Sequence, residues 1–339
     1  MENALRGAVN RDLAFLCITL FGGVMGCLEV GAQDAEKLRP VSPLGRYLLV
    51  ASEGLYVVEA DGHLSWSYHP APAGQQVRGM EDDIIYDGFA LPHDHYLFST
   101  HRYIREINRD KQTVWEYRLQ APGEVKSGVP LPNGRIAVLN SQEQVILELE
   151  PRTSKVFRRI PVPAKGTDHT RYMLLRSTPE GNYLVALREE QRIVEVTPAG
   201  EILHSFSLPS MPVMAQRLAD GSTLATGRFG LMKFDSAWKN VWSFTPADAA
   251  AHFPLLISWD VTEMLDHRLV VANSDWHLAK KEDNRVQFFA IDFAKNISWT
   301  LPATAFKEWK RSETEPRTGF IEHRSISVQP LPVGTQSPK

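Results

Sequence analysis

One pattern recurs six times in this chain and leaves little freedom in what it can fold into. Ser177 to Val196 reads "STPEGNYLVALREEQRIVEV": a polar turn, an apolar burst, a charged corner and a second, alternating burst. That is the signature of two short strands joined by a hairpin. The same order returns in "GRYLLVASEGLYVVEADGHLSWSY" from Gly45, "PHDHYLFSTHRYIREINRDKQTVWEY" from Pro92 and "PNGRIAVLNSQEQVILELEPRTSKVF" from Pro132. It returns again in "DGSTLATGRFGLMKFDSAWKNVWSF" from Asp220 and in the segment from Asp266. Each copy ends in a strand that carries an aromatic, at Trp66, Trp115, Phe157, Phe206, Trp242 and Trp299. These ends lie between 36 residues (Phe206 to Trp242) and 57 residues (Trp242 to Trp299) apart. The spacing suits the blades of a β-propeller rather than leucine-rich repeats, and strands this short do not suit a helical solenoid. One such sheet cannot bury both its faces, so its neighbours must stack on it around an axis. The final-strand aromatics are expected to pack between blades.

The first copy lacks a leading strand, whereas the chain ends in "VQPLPVG", which matches the leading strand and turn "SGVPLPNG" and "DGFALPHD" of other copies. A carboxy-terminal strand that joins the first blade closes the ring and removes an exposed edge. The fold class expected is therefore all-β, a six-bladed propeller over residues 45–334, with residues near Phe320 to Pro332 completing the blade begun at Arg46.

The segments "LPNGRIAVLN", "RIVEVTPAGEILHSF" and "REINRDKQTVWEY" resemble the repeats of PQQ-like, NHL-like and arylsulfotransferase-type propellers, over about Gly45 to Gly334. The resemblance implies an architecture more than an activity, because propellers of this kind include enzymes, assembly factors and binding platforms.

The amino terminus is of another kind. Arg6 and Arg11 precede an apolar run from Leu13 to Gly26, and Val30, Gly31 and Ala32 follow, the anatomy of a secretory leader. As a helix the run would rise about 21 Å, short of a hydrocarbon core of about 30 Å. Export with cleavage after Ala32 is expected, to the periplasm or the extracellular space. "VMGC" ending at Cys27 leaves an alternative, a membrane-anchored lipoprotein. Residues 1–32 are then a signal peptide, 33–44 a lead-in and 335–339 a disordered tail. Both cysteines, Cys17 and Cys27, lie in the leader, so the mature chain would have no disulfide, thiolate metal site or cysteine nucleophile.

With 37 basic against 40 acidic residues and a net charge of -3, the chain has no cationic excess for a phosphate backbone, and nucleic acid is not an expected partner. The expected partner is a small molecule, a glycan or a protein segment, bound by a monomer. No phosphate-binding glycine loop, paired-cysteine spacing or serine elbow is present, so no cofactor and no metal site are implied. "HDH" at His93 to His95 sits where sister copies have "NG" and reads as a solvated turn. PQQ itself is not expected, since the enzymes that hold it have more blades and a calcium site.

In a propeller, the loops that enter the innermost strands from one face are the usual place for ligands. Here those lead-ins carry Asp82 and Asp83, Lys126, Asp168 with His169 and Arg171, Met211, Trp259 with Asp260, and His323 with Arg324. The corners between second and third strands carry His101 with Arg102, Arg188 and Arg228, a cation in several blades. The sixth-blade corner, "ANSDWHLAKKEDNR", is swollen and offers Trp276 and His277 with Asn273 and Asp275. Long loops on a rigid scaffold often carry recognition. Ligand binding is thus assigned to Asp83, Arg102, His169, Arg171, Arg228, Trp259, Asp260, Trp276, His277, His323 and Arg324, as a polar mouth for an anion, a glycan or a protein segment.

The resemblance to arylsulfotransferases implies a second reading. Those enzymes use a channel histidine as nucleophile, and His169 or His323 occupies a comparable place, with Arg171 and Arg324 to hold a charged group. His169, Arg171, Asp260 and His323 are then the candidate catalytic residues of a transferase, hydrolase or lyase. Most blades lack the histidine, holding Asp83, Ser210 or Ile257 there, and no nucleophile and base pair is spelled out. The binding reading is preferred.

Overall fold

Turn chemistry sets where each strand begins. Gly134, Gly181 and Gly221 hold φ of +78°, +85° and +80° in the turn after the first strand of their blades, where a Cβ is costly. His93 and Asp94 take the same left-handed region in the second blade, at φ of +62° and +56°, so "HDH" does form the turn.

The structure, a computed structural model, describes residues 44–70, 84–120, 123–275, 285–305 and 325–331. The leader, the lead-in to residue 43, Asp83, Trp276, His277, His323, Arg324 and the tail lie outside the described residues.

Within them are six four-stranded antiparallel sheets. The second blade contains β4 (Asp87–Leu91), β5 (His95–Ser99), β6 (Tyr103–Ile107) and β7 (Thr113–Arg118). The third contains β8 (Val125–Pro130), β9 (Ile136–Asn140), β10 (Val145–Leu149) and β11 (Val156–Pro161). The fourth contains β12 (Tyr172–Ser177), β13 (Tyr183–Leu187), β14 (Arg192–Val196) and β15 (Ile202–Ser207). The fifth contains β16 (Pro212–Arg217), β17 (Thr223–Gly227), β18 (Gly230–Phe234) and β19 (Asn240–Phe244). The sixth contains β20 (Ile257–Glu263), β21 (Leu269–Ser274), β22 (Val286–Ile291) and β23 (Ile297–Pro302).

The first blade combines β1 (Tyr47–Ala51), β2 (Gly54–Val58) and β3 (Leu64–Tyr68) with β24 (Ser325–Pro330), in the order β24-β1-β2-β3. The chain is a six-bladed β-propeller closed by its last strand. The pairing runs Tyr47 to Pro330 and Leu49 to Val328, with the Leu331 amide bonded to the Arg46 carbonyl at 2.8 Å. Ile326 and Val328 are buried.

The innermost strands of neighbouring blades pack in ring order, and first and second strands are almost wholly buried, so the core lies between blades rather than at one centre. Five of the six final-strand aromatics pack across a seam. Trp66 stacks on Tyr96 at 4.4 Å, and Phe206 meets Phe234 at 4.6 Å. Trp242 meets Phe293 at 5.2 Å, Trp299 meets Tyr47 at 6.5 Å, and the Trp115 indole donates to Ser154 Oγ. Phe157 departs from the expectation. It is 52% exposed, with the Arg135 guanidinium 3.2 Å from its ring centroid, so a cation covers it instead of the next blade.

Blades three to six share a further irregularity. The register of the innermost strand slips near its start: between Val125 and Gly128, Tyr172 and Leu175, Pro212 and Met214, and Ser258 and Val261. Such bulges re-aim side chains. The slipped residues include Lys126, Met173, Leu174 and Trp259, which build the channel mouth, and Asp260, which lies beneath it. Gly128 ends the first slip where only hydrogen fits, since a Cβ there would fall on Ile104 of the neighbouring blade.

Candidate functional site at the channel mouth

Where the innermost strands begin and the second strands end, the blades leave a recess of about 440 Å³ counted out to solvent. Its lining comes from lead-ins (Tyr86, His169, Met211), from a corner (Arg188), from Ile257 at the start of its strand, and from the slipped residues Lys126, Met173, Leu174 and Trp259. Six of these are apolar or aromatic without charge-bearing tips, and three are basic. The bulges explain why Lys126 and Trp259, on strands that would otherwise alternate regularly, reach the same hollow.

Trp259 is fully buried and its indole N–H donates to the Tyr86 carbonyl at 3.2 Å, fixing one wall. Tyr86 stacks on the His101 ring at 4.2 Å between centroids and 29° between planes. His101 and His169 meet edge to face at 5.2 Å. His169 Nδ1 lies 3.3 Å from each carboxylate oxygen of Glu124, and Lys126 Nζ makes an ion pair with the same carboxylate. His101, Glu124 and His169 thus bring one donor atom each to within 4.8 Å of one another, the one group of three potential metal-ligating side chains among the described residues.

Electrostatics inside this group follow from burial. Desolvation, with the Lys126 charge second, pushes the His101 imidazole down to about 3, so it is neutral at physiological pH. Burial also resists ionising Glu124, but the His169 hydrogen bond and the Lys126 charge outweigh it and hold the carboxyl at about 2. Lys126 is lowered from its ordinary range by burial, against the pull of Glu124.

Below the mouth, Arg176 reaches across the axis. It donates to Asp87 through two nitrogens at 2.8 and 3.0 Å and pairs with Asp260 at 3.2 Å, while Ser127 Oγ donates to Asp87 at 2.5 Å. Blades two, four and six are tied at one buried point. Burial raises both carboxyls, Asp260 to about 6, against the lowering pull of Arg176.

The residues singled out from sequence fall into distinct settings. His169 and Trp259 line the recess. Asp260 is committed to the axial network beneath it. Arg171 spends its guanidinium on the Ala164, Ser141 and Gly166 carbonyls and on Asp168, clamping the lead-in of the fourth blade. Buried Arg102 donates to the Gly123 carbonyl, and Arg228 is exposed. At the sixth-blade corner, the Asn273 amide bonds Leu256, Pro254 and Val286, and Asp275 pairs with Arg285 at 2.5 Å, so both brace the base of the loop. Glu124 and Tyr86 were not legible. A single acid in "GEVKSG" and a tyrosine before a strand carry no motif, and only the ring brings them to His101 and His169.

No protein-family model matches the chain, and no curated protein matches it in sequence. Solved structures do. A protein of unknown function from Bacteroides caccae superposes with a TM-score of 0.66 at 20% identity, over 76% of this chain and 93% of that one. A catalytically inactive virginiamycin B lyase from Staphylococcus aureus, with quinupristin, gives 0.53 at 13% identity, over 77% and 86%. The WD40 propeller domain of Doa1 gives 0.51 at 10% identity, over 66% and 71%. At these identities the likeness is one of fold, and this chain is a six-bladed β-propeller.

Proposed function

We propose that this protein is an exported binding propeller that captures a small anion with an apolar or aromatic body in the recess at its channel mouth. One observation carries the reading. The Arg188 guanidinium has no hydrogen-bond or ion-pair partner among the described residues, and Arg188 lines the recess together with Lys126, His169, Tyr86, Trp259, Met173 and Met211. Lys126 is neutralised by Glu124, which leaves Arg188 as the uncompensated charge facing the hollow. An arginine fork suits a carboxylate or sulfate, and the aromatic walls suit a ring.

The test is a thermal-shift screen of aryl carboxylates, aryl sulfates and acidic sugars, followed by titration calorimetry on any hit. Arg188→Ala is expected to weaken binding by about 2 kcal/mol, roughly 30-fold, while changing stability by no more than about 0.5 kcal/mol. Binding that survives the substitution moves the site elsewhere, to the sixth-blade loop or to a protein-segment platform.

A second reading, a channel-sited enzyme, is favoured by one feature. His169 faces the recess with a carboxylate behind its ring, the arrangement of an oriented general base. Turnover of a bound ligand that His169→Ala abolishes would establish it. Export rests on the leader alone: intact mass of protein from its native host is expected to correspond to a chain that begins at Gln33. A start at Met1 contradicts cleavage, and added diacylglycerol mass points to Cys27.

A further inference from the structure

We propose that His101, Glu124 and His169 form a binding site for a divalent transition-metal ion of the zinc type, with a coordination position open to the recess. The inference goes beyond anion capture and does not depend on it, since its supporting observation is a different one.

That observation is His101. The residue is 2% exposed, yet neither ring nitrogen has a hydrogen-bond partner. Buried polar side chains are almost always satisfied, and a histidine that is not calls for a ligand. Its ring is held in place by the Tyr86 stack, and its carbonyl is tied to the Val125 amide at 2.8 Å.

Distances support the same conclusion. Around a tetrahedral ion with bonds of about 2.0 to 2.2 Å, neighbouring donors stand about 3.4 Å apart. His169 and Glu124 already do, at 3.3 Å, and no donor pair exceeds 4.8 Å, so closing the group asks for about an ångström of side-chain movement. Two imidazoles and a carboxylate, with no thiolate, suit zinc and its nitrogen- and oxygen-loving neighbours, and three protein donors leave room for a water or an anion. Lys126, already paired with Glu124, supplies the outer hydrogen bond that liganding carboxylates usually have. The sequence had hidden the site because its donors come from three different blades.

The test uses the full chain, purified without an affinity tag and dialysed against a chelator, and titrated with Co²⁺ and then Zn²⁺ alone. One equivalent of Co²⁺ is expected to give a visible ligand-field band, which Zn²⁺ displaces. His101→Ala and His169→Ala are each expected to weaken binding by about 100-fold or more. His169 is partly exposed, so His169→Ala decides the matter if His101→Ala fails to fold. Arg188→Ala should not weaken metal binding, which separates this site from the anion reading. Wild-type binding no tighter than that of His169→Ala overturns the proposal, as does a band that survives both histidine substitutions.

Discussion

A chain cut before Phe320 should lose several kcal/mol of stability and melt on the order of 10 °C lower. The missing strand, β24, covers β1 along its whole length, and its Ile326 and Val328 side chains are buried in the seam between the first and sixth blades. Exposing the two costs about 3 to 6 kcal/mol at the usual 1.5 to 3 for each. The polar losses add to this. The Gln329 amide bonds the Gly88 carbonyl at 2.8 Å and the Ala90 amide at 3.1 Å, and Thr262 Oγ1 donates to the Val328 carbonyl at 2.7 Å. The cut therefore unfastens the first blade from both neighbours and leaves β1 as a bare edge. Chemical denaturation of the two chains checks this, and equal stabilities would show that closure contributes nothing.

Arg176→Met should destabilise the ring by about 3 to 5 kcal/mol at neutral pH, because it leaves Asp87 and Asp260 buried without their cation. Converting both aspartates to asparagine in the same chain should recover much of the loss. The pH dependence has a definite sign. Burial raises Asp260 from its ordinary 3.8 to about 6, so between those values the folded chain holds a proton that the unfolded chain has released. Its contribution is full below about pH 4 and is lost as pH rises through 6. The stability of the natural chain relative to Asp260→Asn should therefore fall across that window. Carboxyls held low, such as Glu124 and Asp220, act in the opposite sense at lower pH but are common to both chains and cancel in the difference. A difference that stays flat from pH 4 to 7 would refute the raised carboxyl. Arg176→Met, for its part, should be least harmful in acid, where both carboxyls can protonate.

The ring was legible because its signals are local and repeated. Turn residues, alternation and a terminal aromatic recur in every blade, and the tail echoes the strand that the head lacks. Phe157 escaped because its spacing is that of the other aromatics, while its cover, Arg135, comes from the turn before β9 in its own blade. The mouth was legible in part. His169, Lys126, Trp259 and Arg188 could be placed there from their positions in lead-ins and corners, which the repeat numbers for every blade. What their side chains do was not. Arg171 and Arg188 are both cations at the rim, yet four loop oxygens take the first and none takes the second. The axial network was hidden by the register slips, which turn Asp260 inward beside Trp259 where strict alternation would send the two to opposite faces. Glu124 carried no signal at all.

A crystal structure of the protein with 4-bromobenzoate, phased at the bromine edge, would put the binding account to proof. The anomalous peak should lie among Tyr86, Trp259 and Met173, with the carboxylate about 3 Å from the Arg188 guanidinium. A recess left empty while bromine occupies another surface, or a carboxylate turned away from Arg188, would contradict it.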